Sequence, residues 1–143
     1  NAIGTFLNGE YLTNYIDSSY SNMIENSTTW YLGNVDGGES YKLAKYTDIN
    51  MADYTTSTET KVGLLRMGEL MSGQFNYYYN GVRYWLLTSY NNEYVRTIFY
   101  AGNGADNSVT DSYGIKPSLN LKQNVIITEG LGTKEQPFVI ALQ

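Results

Sequence analysis

Apolar and polar positions are patterned most clearly between residues 84 and 122, "YWLLTSYNNEYVRTIFYAGNGADNSVTDSYGIKPSLNLK". An apolar run at 84–87 is followed by a turn at 90–92 and a second β-favouring run at 94–101. Aromatic and β-branched runs bounded by Asn and Gly clusters predict strands separated by turns. The Gly- and Asn-rich residues 102–112 predict a loop. In the next run Ile115, Pro117, Leu119 and Leu121 alternate with Lys116, Ser118, Asn120 and Lys122. A period of two puts each set on its own face and predicts a strand with one buried side. Pro117 has no N–H to donate, which places that strand at an edge or bulges it there. The run at 84–87 does not alternate, as expected of a strand covered on both faces with Trp85 in the core.

Upstream the period changes. Ile3, Phe6 and Leu7 fall at helical spacing, with Gly9 where a helix-ending glycine would sit. Ile16, Tyr20, Met23 and Ile24 repeat the spacing after the cap residues Asp17 and Ser18. Two short amphipathic helices packed on a sheet are expected. "TTWYL" at 28–32 predicts a strand. Residues 33–60 are polar and irregular, long for a loop in a compact domain, and such segments tend to be functional or to carry short elements of their own. "KVGLLRM" at 61–67 predicts a strand, 68–71 a helical turn, and Asn80-Gly81 a tight turn. Two last strands are predicted at 124–128 and 137–142 around "EGLGTKEQ".

The 143 residues have no linker, repeat or charge run, so residues 1–143 are read as one domain. Charged residues make up only 16%, so the surface must draw on Asn, Ser, Thr, Gly and the 15 tyrosines. A net charge of −5 argues against a nucleic-acid partner and against contact with an anionic membrane. No apolar run approaches the roughly 18 residues needed to span a bilayer. The chain begins at Asn1 with neither a methionine nor a signal-like segment, which fits a trimmed or mature fragment. The absence of cysteine excludes disulfides and thiolate chemistry. The absence of histidine removes the commonest general base and metal ligand. No cofactor is expected.

Candidate chemistry is correspondingly sparse. Glu69 and Glu93 are imaginable as an acid/base pair for glycoside hydrolysis, but two carboxylates among fourteen acids carry little information. Asp106, Asn107 and Asp111 offer oxygen donors of the kind calcium takes, without an EF-hand pattern, and turn-rich loops are rich in these residues anyway. Tyr77, Tyr78, Tyr79, Tyr84, Tyr90, Tyr94, Tyr100 and Tyr113 gather in and around the central stretch. Tyrosine combines a flat apolar face with a polar tip, and Asn and Ser beside it supply adaptable hydrogen bonds, the composition of a binding surface. Arg66, Arg83 and Arg96 lie in apolar surroundings, where a structural salt bridge to Glu69 or Glu93 is a more economical role than ligand contact. Asn26-Ser27-Thr28 matches the N-glycosylation sequon, which is usually idle in a bacterial protein.

Three segments carry a family resemblance. "WLLTS" at 85–89, "SYGIKPSLNLK" at 112–122 and "VIITEGLGTKEQPFVI" at 125–140 resemble a bacterial domain of unknown function in the C-type-lectin-like group. That domain has an aromatic-aromatic-Leu-Arg-Ser strand and a Gly-Val-Arg-Pro-x-Leu-x-Leu strand. Similar sequences occur in Gram-positive surface proteins, some behind a pilin-type helix, and "TFLNGEYL" followed by "TTWYLG" resembles those as well. The chain departs from the pattern at Thr88 and at Lys116-Pro117, where the family carries arginines. It also lacks the Glu-Pro-Asn or Gln-Pro-Asp triplet of calcium-dependent sugar binders, since Gln136-Pro137 is followed by Phe138.

The resemblance implies an α+β, C-type-lectin-like fold: two N-terminal helices on a twisted, mainly antiparallel sheet with long loops. It implies an extracellular, non-enzymatic binding or adhesion module, at the cell surface or secreted. The partner would be a host or cell-surface glycan or protein, or other pilin subunits. A structural subunit of a surface filament is the alternative, and a carboxylate-based hydrolase a weaker one. The long loops of the group face ligand; here they are 74–83, 90–93 and 101–112, with Tyr78, Asn91, Asn92, Asn103, Asp106 and Asp111 as the candidate contacts.

Overall fold

The computed structural model of the chain describes residues 2–32, 56–72, 81–90 and 93–143. Within them the architecture is α+β, with an N-terminal helix and four small sheets.

The stop expected at Gly9 does not occur. Helix α1 (Ala2–Phe6) runs through a π-helical segment (Leu7–Tyr11) into α2 (Leu12–Asn14). A tertiary contact overrides the glycine. The Val62 N–H donates to Asn8 Oδ1 at 3.0 Å, and Asn8 Nδ2 donates to the Val62 carbonyl at 2.9 Å. This pair of bonds pins the middle of the helix to the sheet. It lies inside the π segment, the kind of local irregularity that often marks such an insertion. The second expected helix shrinks to one turn, α3 (Ser18–Ser21), capped as expected by Asp17, whose Oδ1 accepts the Ser19 N–H at 2.8 Å. Met23 and Ile24 are buried beyond it, and Ile24 forms a β-bridge with Leu121. The apolar spacing from Tyr20 to Ile24 is thus met by one helical turn, a turn at 22–23 and a β-bridge rather than by one continuous helix.

Strand β1 (Thr28–Leu32) forms where expected and pairs antiparallel with β2 (Thr56–Thr60). β2 falls inside the stretch expected to be irregular, and three of its five residues are β-branched threonines, which favour a pleated surface. β3 (Val62–Leu64) is a short part of the predicted 61–67 strand, and the helical turn follows as α4 (Met67–Ser72). β4 (Tyr84–Ser89) pairs antiparallel with β5 (Tyr94–Ile98), which pairs antiparallel with β6 (Gly104–Ser108).

β6 corrects the loop expected at 102–112. Gly, Ala, Asp, Asn and Ser are poor strand formers, yet five successive residues lie in register with β5, from Tyr94 opposite Ser108 to Ile98 opposite Gly104. The run around Pro117 is also divided. β7 (Gly114–Ile115) lies parallel to β4, whereas β8 (Pro117–Leu119) turns to pair antiparallel with β3. One predicted strand therefore serves two sheets, with the break at Lys116 next to the proline.

The core has two parts on opposite faces of β4. Tyr84 and Leu86 pack with Met67, Leu70 and Ile98. Trp85 packs with Leu7, Val62 and Leu64, and Ile3, Phe6, Leu87, Tyr113, Ile115 and Leu119 close around that cluster. This is why 84–87 shows no alternation: each face of the strand meets its own apolar layer. Trp85 is 6% exposed, as its place in that run predicts. Thr88, which stands where the resembling family has arginine, is buried, and its Oγ1 accepts the Met67 N–H at 2.9 Å, which satisfies an otherwise open donor at the start of α4. The last strands, β9 (Val125–Glu129) and β10 (Val139–Leu142), form an antiparallel hairpin close to the expected bounds.

Candidate functional site

A cleft of about 870 Å³ opens between the first residues of the N-terminal helix and the sheets. Trp30 comes from β1, Thr58 and Thr60 from β2, Gly63 from β3, and Trp85, Leu87 and Ser89 from β4. Val109, Asp111, Ser112 and Tyr113 reach it from the segment between β6 and β7. Its size lies in the range of small-molecule sites, which are mostly apolar with a few placed polar groups.

Packing sets the aromatic wall. The indole N–H of Trp30 donates to the Thr60 carbonyl at 3.0 Å, which ties the ring across the β1–β2 pair. The ring lies so close to Gly63 that a Cβ there would come within 2.4 Å of it, so this approach requires glycine. The rings of Trp85 and Tyr113 meet at 5.0 Å between centroids, tilted by 53°. A hydrogen-bonded network backs them. Arg83 Nη1 donates to the Tyr113 hydroxyl at 2.8 Å and Asn107 Nδ2 donates to it at 3.1 Å. The same hydroxyl donates to Asp111 Oδ2 at 3.2 Å. The Arg83 guanidinium lies over the ring of Phe99, 3.6 Å from its centroid, and over that of Tyr113, at 4.7 Å. Two donors and one acceptor fix the Tyr113 hydroxyl, and through it the orientation of the Asp111 carboxylate.

The expected site residues separate. Tyr78, Asn91 and Asn92, with Tyr77 and Tyr79, lie outside the described residues. Asn103 is exposed in the turn between β5 and β6, where its carbonyl accepts the Phe99 N–H at 2.9 Å. Asp106 sits on β6 and pairs at 3.3 Å with Arg96, whose side chain is fully buried. Asp111 alone of the six reaches the cleft among the described residues.

The oxygen donors suggested for calcium do not form one ligand set. Asp106 and Asn107 are neighbours on a strand and face opposite ways. Asp106 turns to Arg96, and Asn107 bonds Thr97 at 2.7 Å and Tyr113, the residue that also holds Asp111. Among the described residues no three acidic side chains are grouped to hold a metal.

The charged pairs also resolve. Arg66 pairs with Glu69 at 3.3 Å, and Glu69 Oε2 accepts the Arg66 N–H at 2.9 Å, the reciprocal contact of a helix start. Arg96 takes Asp106 rather than a glutamate and stacks over Tyr90, 4.4 Å from its centroid. The tyrosine cluster divides as well: Tyr84 is core, Tyr94 and Tyr100 are exposed, and Tyr113 belongs to the cleft. Burial pushes the Tyr84 phenol above its ordinary range. Asp17 is held below the usual carboxylate range, first by the Ser19 hydroxyl and then by its backbone N–H. Asn26 and Ser27 of the sequon are exposed, and Thr28 opens β1 as expected.

Comparison with family models, with curated proteins and with solved structures gave no match. Among the described residues no helix is long and apolar enough to cross a membrane.

Proposed function

We propose that this chain is an extracellular, non-enzymatic binding module of a bacterial surface or pilin-like protein, with a C-type-lectin-like fold. The observation that carries the binding reading is the cleft, where aromatic side chains and one oriented carboxylate converge in a volume of about 870 Å³. The fold reading draws on the resemblance at 85–89, 112–122 and 125–140, together with an N-terminal helix laid on mainly antiparallel strands. Glu69 is engaged by Arg66 at the start of α4, which counts against the acid/base alternative. A glycan array and a host-protein pull-down test the proposal, using the wild type and Thr58→Phe, a substitution that narrows the cleft from an exposed strand position. Capture of a ligand by the wild type and its loss in Thr58→Phe is the expected result. A ligand held equally by both would place binding elsewhere.

One observation favours the filament-subunit alternative. The hairpin of β9 and β10 exposes Ile126, Ile127, Phe138, Val139 and Leu142, an apolar surface of the kind that neighbouring subunits cover. Size-exclusion chromatography with light scattering across a concentration series separates the readings: a monomer at all concentrations leaves binding in place, and reversible growth favours assembly.

A further inference from the structure

We infer that the cleft takes a small organic ammonium compound, one cationic nitrogen on an apolar body. This rests on the binding reading and names its ligand class.

The first argument is charge. Among the described residues that line the cleft, Asp111 is the one charged side chain. Tyr113 donates to its Oδ2, and Oδ1 has no protein partner among the described residues. The cation of the network, Arg83, is half-buried, lies over the rings of Phe99 and Tyr113, and donates to the Tyr113 hydroxyl. It does not line the cleft. Asp111 is exposed, so an apolar neutral ligand would strip water from Oδ1 and leave that oxygen without a donor, which is costly. An anion would be repelled. An ammonium group donates to Oδ1 and keeps the carboxylate charge compensated.

The second argument is the wall. Trp30, Trp85 and Tyr113 line the cleft; the two tryptophans are nearly buried, and half-buried Tyr113, bonded to Asp111, is the ring beside the carboxylate, where an organic cation gains from the ring quadrupole. Aliphatic Ile3, Leu87 and Val95 complete it, so the body of the ligand is apolar. A bare ion would leave most of an 870 Å³ cleft to water, whereas a ring-sized molecule fills it. The net charge of −5 raises the local concentration of cations around the whole molecule.

The test uses three probes that share a phenyl body: 2-phenylethylammonium, 2-phenylethanol and 3-phenylpropionate. Each is titrated by tryptophan fluorescence and by amide chemical shifts into the wild type, Asp111→Asn and Thr58→Phe. Asn retains an acceptor for Tyr113, so Asp111→Asn removes the charge while keeping the network. In the wild type the ammonium probe binds about tenfold tighter than the alcohol, the worth of a hydrogen bond to a charged group, and the carboxylate probe binds weakest. In Asp111→Asn the ammonium advantage falls below about twofold, and in the wild type it shrinks with added salt. Thr58→Phe weakens all three. If the alcohol binds the wild type as tightly as the ammonium, or if the advantage survives in Asp111→Asn, the ammonium inference is overturned while the cleft remains a binding site. If none of the three perturbs the folded wild type, the ammonium inference is overturned, and the cleft-binding reading falls with it only when the glycan array and the pull-down also return no ligand.

Discussion

Two apolar strands of this protein, β4 and β10, reach opposite environments. β4 carries Tyr84, Trp85 and Leu86, all buried, with α4 on one face and the N-terminal helix on the other. β10 carries Val-Ile-Ala-Leu, no less apolar, yet Val139 and Leu142 are exposed and none of its four residues is buried. The difference lies in the neighbours. β4 is hydrogen-bonded on both sides, to β5 and β7, whereas among the described residues β10 pairs with β9 alone. Burial is therefore a property of the layers that assemble on a strand rather than of its composition. A two-stranded hairpin is marginal by itself in water, so this one depends on local devices. Gly130 and Gly132 adopt φ of +92° and +74°, and the Leu131 N–H donates to the Gln136 carbonyl at 3.0 Å to close the loop. A Cβ on Gly130 would meet the Pro137 carbonyl oxygen, so the turn admits no side chain at that position.

The contrast can be broken by substitution. Trp85→Ala should lower the unfolding free energy by about 3–5 kcal/mol, the usual range for deleting a large buried aromatic. An unchanged denaturant midpoint would show that the face of β4 toward the helix is not core. Next in size is Asn8→Ala, which removes both bonds between the helix and Val62 and leaves the Val62 carbonyl with the Thr60 hydroxyl at 3.2 Å. A loss of about 1–3 kcal/mol is expected, read from the same denaturation curves, and a neutral result would free the helix from the sheet. Gly130→Ala should act locally. Amide exchange in β9 and β10 is expected to speed up by tenfold or so while the exchange of β4 and β5 stays unchanged, because a side chain at positive φ strains the turn by roughly 1 kcal/mol or more. A shift of the core amides would mean that the hairpin and the core unfold as one unit.

Alkaline pH sharpens the comparison from the buried side. The Tyr84 phenol is raised by burial, so the folded state resists its ionisation while the unfolded chain does not. The stability this contributes is complete below the ordinary tyrosine pKa of about 10 and is lost as pH rises toward the raised folded value. In an ultraviolet pH titration of the folded protein, Tyr84→Phe should remove a late-titrating tyrosine, and should flatten the fall of the denaturation midpoint above pH 10. Loss of an early-titrating phenol instead would place Tyr84 in water. The smallest effect belongs to the hairpin: Ile127→Ser, at a residue 58% exposed, should change stability by no more than about 0.5 kcal/mol. A loss as large as that of Trp85→Ala would reveal a covered hairpin.

The candidate site was less legible than the fold. Asp111 stood out as an acidic residue in a polar segment, but so did Asp106, and only pairing with Arg96 removes Asp106 from contention. Trp30 reads as an ordinary strand residue. Its place in the cleft depends on Gly63, more than thirty positions away, and no local pattern joins the two. Arg83 and Tyr113 show the same limit: a hydrogen bond across thirty residues leaves no periodicity to read.

The sequence by itself determined the α+β class, the helical start, the cap at Asp17, the strand at 28–32, the strand run at 84–87, the covered position of Trp85 and the two last strands. These follow from short-range periodicity and cap chemistry, which act within a few residues. Tertiary structure decided the rest. It carried the N-terminal helix through Gly9 by the Asn8–Val62 bonds, made a strand of Gly104–Ser108 by pairing it with β5, and divided one predicted strand between two sheets at Lys116. In each case a contact between residues distant along the chain outweighed a local preference. Such preferences amount to only about 1 kcal/mol per residue, less than the hydrogen bonds and buried surface that oppose them.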